Sequence, residues 1–157
     1  MRLYFLRHGE AEEAAATDQE RPLTERGRER ITTAARVIAA LDLKPGHIYS
    51  SPRVRARQTA EPVARALKCE VEVRTEVDYN FNVEAVVKLI QGLDDHAEVM
   101  FVGHEPSMSS TIEEMTGGRV EIKKGGLARV DVDAADLPHG TLVWLITPGI
   151  FDLQGNR

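Results

Sequence analysis

Arg7, His8 and Gly9 close a short apolar run, Leu3-Tyr4-Phe5-Leu6, within the first ten residues. A strand ending this way delivers a guanidinium and an imidazole together, and the glycine lets the backbone turn away behind them. An imidazole that is mostly neutral at pH 7 has a lone pair for attack on phosphorus. A guanidinium can grip two phosphoryl oxygens at once and does not lose its charge. Two further segments carry the same kinds of group. Ser51-Pro52-Arg53-Val54-Arg55 follows the strand-like His47-Ile48-Tyr49, and Gly103-His104-Glu105-Pro106 follows the apolar run Val99-Met100-Phe101-Val102. A lone histidine behind a strand is usually a turn or core residue. Two histidines and two or more arginines at three strand ends point instead to phosphoryl transfer, which is mainly positioning and charge stabilisation.

The elements that must position these groups alternate between strand-like and helix-like segments, which implies a layered α/β domain. Strands are expected over about Arg2–Leu6, His47–Tyr49, Glu70–Val73, Val99–Val102, Leu127–Val132 and Leu142–Ile146. Thr24 reads as a helix N-cap, followed by Ile31, Ala34, Ala35, Ile38 and Leu41 at helical spacing. Ser51-Pro52 reads as the N-cap and first residue of a second helix, running to about Leu67. Asn82 caps a third, and Pro106 opens a fourth that ends near Gly117-Gly118. In an open α/β sheet ligands bind beyond the carboxyl ends of the strands. Two of the three chemical segments there also enter helices, whose N-termini favour anions.

At 157 residues the chain is expected to form a single domain, 1–157, able to bury a core without staples. Its net charge of −5 argues against a nucleic-acid partner, so phosphate binding would require arginines gathered locally. Cys69 is the only cysteine, which leaves no internal disulfide. A Cys-x5-Arg phosphatase motif from Cys69 would need an arginine where Thr75 stands. No apolar stretch approaches the roughly 20 residues of a membrane span. Arg7 cuts the N-terminal run too early for a signal peptide, so a cytoplasmic location without membrane association is expected. Arg53 and Arg57 read as a solvated helix face, as do Arg26, Arg28, Arg30 and Arg36. His47, His96 and His139 lie away from the edge and read as structural. Lys123-Lys124-Gly125-Gly126 reads as an exposed turn, with a phosphate-facing loop as the alternative.

Taken together, Leu6-Arg7-His8-Gly9-Glu10, Arg21-Pro22-Leu23-Thr24-Glu25-Arg26-Gly27, the stretch Ser51 to Ala60, and Val102-Gly103-His104-Glu105-Pro106 resemble the histidine phosphatase superfamily, also called phosphoglycerate mutase-like. Their order covers about the first two thirds of the chain. The short length is most similar to the small SixA-type branch of phosphohistidine phosphatases. The resemblance implies a three-layer α/β/α sandwich with a mainly parallel sheet and no large lid insertion. It implies His8 as the nucleophile carrying a transient phosphohistidine, and Arg7 and Arg55 as the phosphoryl grip. It also implies His104 as the second pocket histidine, Arg21 as a further phosphate contact, and no metal or other cofactor. The expected partner is a histidine-phosphorylated protein, such as a phosphotransfer domain, or a small phosphate ester.

Larger members of that family place an acidic proton donor after the third strand. The corresponding stretch here is Arg74 to Asn82, with Glu76 and Asp78 as candidates for a general acid, or as caps and solvated loop. Tyr79 to Asn82 is a candidate substrate-facing loop. Three other readings stay open: a broad-specificity phosphomonoesterase, a metal site built on His8 and His104, and a phosphate- or phosphohistidine-binding module without turnover. Arginines crowding the same edge weaken the metal reading, because they repel a cation.

Overall fold

Leu3, Tyr4, Phe5 and Leu6 have no exposed surface in the first strand, β1 (Arg2–Arg7). Leu3 and Phe5 join one hydrophobic cluster, and Tyr4 and Leu6 the other. A strand covered on both faces needs such a continuous apolar run. Burying each of these side chains contributes about 1.5–3 kcal/mol, which anchors the strand that carries Arg7 and His8.

The computed structural model describes residues 1–155. After β1 come α1 (Glu25–Ala40), β2 (His47–Ser50), α2 (Val54–Leu67), β3 (Val71–Val73), α3 (Val83–Ile90) and β4 (Glu98–Gly103). They are followed by α4 (Ser107–Thr116), β5 (Leu127–Val132), β6 (Gly140–Ile146) and α5 (Pro148–Gly155). The sheet order is β3-β2-β4-β1-β5-β6. The β1–β4, β2–β4 and β2–β3 pairs are parallel, whereas β5 and β6 are antiparallel. Helices α1, α2 and α5 cover one face, and α3, α4 and a 3-10 turn at Thr75–Val77 cover the other. This is the expected three-layer sandwich with a mainly parallel sheet, and no long insertion interrupts it.

The caps follow the sequence at α1 and α3. Thr24 Oγ1 accepts from the Gly27 amide, and Asn82 Oδ1 accepts from the Ala85 amide. At α2 the structure differs. Arg53, not Ser51, is the N-cap residue, and the helix starts at Val54. The Ser51 hydroxyl accepts from the Arg53 amide at 3.2 Å and also lies 2.7 Å from His104 Nε2. Helix α5 has no counterpart in the sequence reading. Its Pro-Gly start resembles a turn, and Ile150 and Leu153 stay exposed, so no apolar period announces it; among its described residues Pro148 and Phe151 are buried.

Candidate active site

The parallel register aligns Arg7 with Gly103, so His8 and His104 leave the sheet side by side. The His8 amide donates to the Gly103 carbonyl at 3.0 Å, and the two imidazole centroids stand 5.3 Å apart. The β2–β4 register aligns Ser50 with Val102, which brings Ser51 to the same level; its amide donates to the Val102 carbonyl at 3.0 Å. Adjacent strands lie about 4.8 Å apart, so three neighbouring strand ends necessarily gather these side chains.

His8 is buried, and its Nδ1 lies 2.7 Å from the Gly9 carbonyl oxygen. A carbonyl only accepts, so Nδ1 carries the hydrogen and Nε2 keeps its lone pair. Burial, with added repulsion from His104, Arg55 and Arg7, pushes the His8 pKa down to about 3 against the help of the Gly9 hydrogen bond. His104 is buried too, and its pKa falls to about 4 through burial and then Arg55. Both rings are therefore neutral at pH 7. His104 Nε2 lies 2.7 Å from Ser51 Oγ and 3.5 Å from Asp78 Oδ1.

Arg55, the second residue of α2, is buried with its guanidinium at this edge. Its Nη1 donates to the Asp18 carbonyl at 2.9 Å, and its Nη2 to Tyr79 Oη at 2.6 Å. Arg7 Nη1 donates to the Ile122 carbonyl at 2.9 Å. Thr59, one turn beyond Arg55, accepts from the Gly9 amide at 3.0 Å and donates to the Arg55 carbonyl at 2.7 Å. It thus ties α2 to the backbone that turns behind His8.

Several assignments change. Arg53 is no solvated face: as the N-cap residue it lies outside the helical period that set it apart from Arg55. Its Nε donates to Asp78 Oδ1 at 2.7 Å, its Nη1 to Asp18 Oδ2 at 2.8 Å, and its guanidinium lies 3.8 Å over the Tyr79 ring. Arg57 is exposed, as expected. Arg21 reaches the rim rather than the histidines, donating to Asp18 Oδ1 at 2.9 Å and to the Glu12 carbonyl at 2.6 Å. Glu76 points away. Arg74 and Lys88 each hold it at 3.1 Å, and hydrogen bonding from Arg74 lowers its pKa to about 2, so it has no proton to give at neutral pH. Asp78 does lie at the site, beside His104 and Ser51. Of Tyr79 to Asn82, Tyr79 reaches the pocket, Phe81 is core and Asn82 is a cap. Lys123 and Lys124 are exposed.

Asp18 carries no functional signal in the sequence, whereas Ser51 reads there as a helix cap and Tyr79 as part of a candidate substrate-facing loop. Thr59 had a signal: it lies four residues after Arg55 and so shares its helix face.

The match to the histidine phosphatase superfamily (branch 1) model covers residues 3–79, which includes β1, the Arg55 helix and Tyr79. An uncharacterized protein of Picosynechococcus is 33% identical, over 90% of this chain and 91% of its own. Phosphohistidine phosphatase SixA of Escherichia coli is 28% identical over 94% of each chain. Among solved structures, the protein histidine phosphatase SixA complexed with tungstate superposes with a TM-score of 0.86 at 28% identity, covering 96% of this chain and 99% of that one. The chain belongs to the histidine phosphatase superfamily, in its SixA-type branch, and is a phosphatase.

Proposed function

We propose that this protein hydrolyses phosphohistidine on proteins through a covalent phosphohistidine at His8, without a metal. The observation that carries this reading is the state of His8, buried and neutral with Nδ1–H committed to the Gly9 carbonyl. Nε2 then attacks phosphorus with its lone pair. The substrate's N–P bond breaks, its electrons pass to the leaving imidazole nitrogen, and that nitrogen takes a proton. Water next attacks phosphorus, releasing inorganic phosphate and restoring the His8 lone pair. Arg7 and Arg55 hold the phosphoryl oxygens, and His104 lends a hydrogen bond as charge builds. Arginines supply the positive charge that a metal would otherwise bring, and they repel a cation from the same edge. Arg21, occupied by Asp18, contributes at the rim. SixA from Escherichia coli carries the phosphohistidine phosphatase name, and a solved structure of SixA is complexed with tungstate, an oxyanion like phosphate. An imidazole is a better leaving group than an alkoxide, so a phosphohistidine substrate demands less of a general acid.

The test is phosphate release from a histidine-phosphorylated phosphotransfer protein in excess chelator. Rapid release, with at least tenfold slower turnover of sugar phosphates, is expected. Faster turnover of the sugar phosphates, or loss of activity on chelation, would overturn the reading.

The acid candidates separate in the same assay. Glu76→Gln is expected to leave phosphohistidine and phosphomonoester rates within about twofold, because its carboxylate is tied up elsewhere. Asp78→Asn is expected to lower phosphomonoester turnover while sparing phosphohistidine. Equal losses on both substrates would assign Asp78 to holding Arg53 and His104 instead.

A further inference from the structure

The connection from β1 to α1 is an exposed loop closed at its base. Ala11 bridges Leu23, the Glu12 amide donates to the Pro22 carbonyl at 2.8 Å, and the Thr24 amide donates to the Glu10 carbonyl at 3.0 Å. Gly27 permits this closure, since a Cβ there would fall 2.2 Å from the Glu10 oxygen. The far end of the loop reaches over α2, where the Gln19 carbonyl accepts the Val54 amide at 3.0 Å. Asp18, beside it, turns its carboxylate into the site.

Four donors converge on that one carboxylate. Arg53 Nη1 reaches Oδ2 at 2.8 Å, Arg55 Nη2 reaches Oδ2 at 3.4 Å, the Tyr79 hydroxyl donates to Oδ2, and Arg21 Nη1 reaches Oδ1 at 2.9 Å. The Tyr79 bond is the largest cause holding the Asp18 pKa far below the usual carboxylate range. Three guanidiniums and a phenol around one anion form an anion-binding cradle, and it is contiguous with the phosphoryl grip because Arg55 belongs to both.

We infer that Asp18 is a specificity residue. Its carboxylate fills the second anion position beside the phosphoryl pocket and excludes substrates that carry an acidic group next to the transferring phosphate. The inference rests on the phosphoryl pocket proposed above. A phosphohistidine side chain brings no second acid and passes. A phosphate ester bearing a neighbouring carboxylate meets Asp18 as a like charge, with the cradle's donors already spent. Substrate proteins accordingly present uncharged or basic residues beside their phosphohistidine.

Glycerol 3-phosphate and 3-phosphoglycerate, which differ by a carboxylate in place of a hydroxymethyl group, provide the probe pair. Their dissociation constants are to be measured by calorimetry on the His8→Ala background, where turnover is blocked, with and without Asp18→Asn. With Asp18 present, glycerol 3-phosphate should bind the tighter. Asp18→Asn should shift the ratio toward 3-phosphoglycerate by about tenfold, and adding Arg53→Gln should remove the gain. Asp18→Ala gives the same comparison should the asparagine disturb the loop. A ratio unchanged within twofold in both variants, including no binding of either compound, overturns the inference. Because binding is read without turnover, a protein that still releases phosphate from phosphohistidine would then keep its proposed function and lose only this filter.

Discussion

His8→Ala is expected to abolish phosphate release from a phosphohistidine protein, with a loss greater than a thousandfold, while the fold persists. The variant removes the Nε2 proposed to attack phosphorus, and the neighbouring His104 keeps its own Nε2 engaged with Ser51. Incubation with labelled phosphohistidine protein and rapid acid-free quenching should trap label on wild type and none on the variant. A variant at near-normal rate would refute the nucleophile. A pH experiment separates loss of chemistry from loss of structure. His8 has a pKa of about 3 in the folded protein against an ordinary 6.5, so below 6.5 the unfolded chain takes up a proton that the folded one refuses. Stability associated with His8 is thus present above 6.5 and falls as the pH drops toward 3. His8→Ala should lose less of its denaturant midpoint between pH 7 and pH 4.5 than wild type does. His104, shifted the same way to about 4, keeps part of the slope in both proteins.

The parts of this site that were legible in the sequence are those fixed by strand ends. His8 and His104 are one residue past aligned positions of neighbouring parallel strands, so apolar runs in the sequence suffice to bring them together. Arg55 was legible for a similar reason, in the first turn of a helix that starts at the same edge. What stayed hidden depends on side-chain reach and on an irregular loop. Asp18 sits in a stretch without period or turn signature, and its place follows from the closure at Ala11 and Leu23. Arg53 was misread because one residue decided its role: with the helix starting at Val54 rather than Pro52, its side chain is freed from the helical face to pair with Asp78. Glu76 and Asp78 look equivalent as letters. Only their partners, Arg74 and Lys88 for one, Arg53 and His104 for the other, tell them apart. The fold shows the same division. The buried parallel strands were readable from their apolar runs, whereas α5, half of it exposed, was not.

The second large effect is expected at Arg55. Arg55→Ala should lower kcat/KM on phosphohistidine protein by on the order of 100-fold or more, comparable with loss of a strong transition-state donor. Arg55→Lys should recover only part of this, because an ammonium cannot make the planar, two-pronged contact. The proposed reading gives Arg55 two duties, and kinetics can divide them. As a phosphoryl grip it acts on the transition state, so kcat should fall. As a support for Asp18 and Tyr79, at 2.9 Å and 2.6 Å, it orders the rim, so KM should rise. Asp18→Asn keeps the backbone carbonyl that Arg55 Nη1 holds but removes the carboxylate charge 3.4 Å from Nη2, leaving the guanidinium in place, so it should move KM far more than kcat. A loss below tenfold in Arg55→Ala, carried by KM alone, would reduce Arg55 to a rim support and leave Arg7 as the sole cation on the phosphoryl group. A fall mainly in kcat would place Arg55 on the reacting group itself, with the rim contacts serving to hold it there.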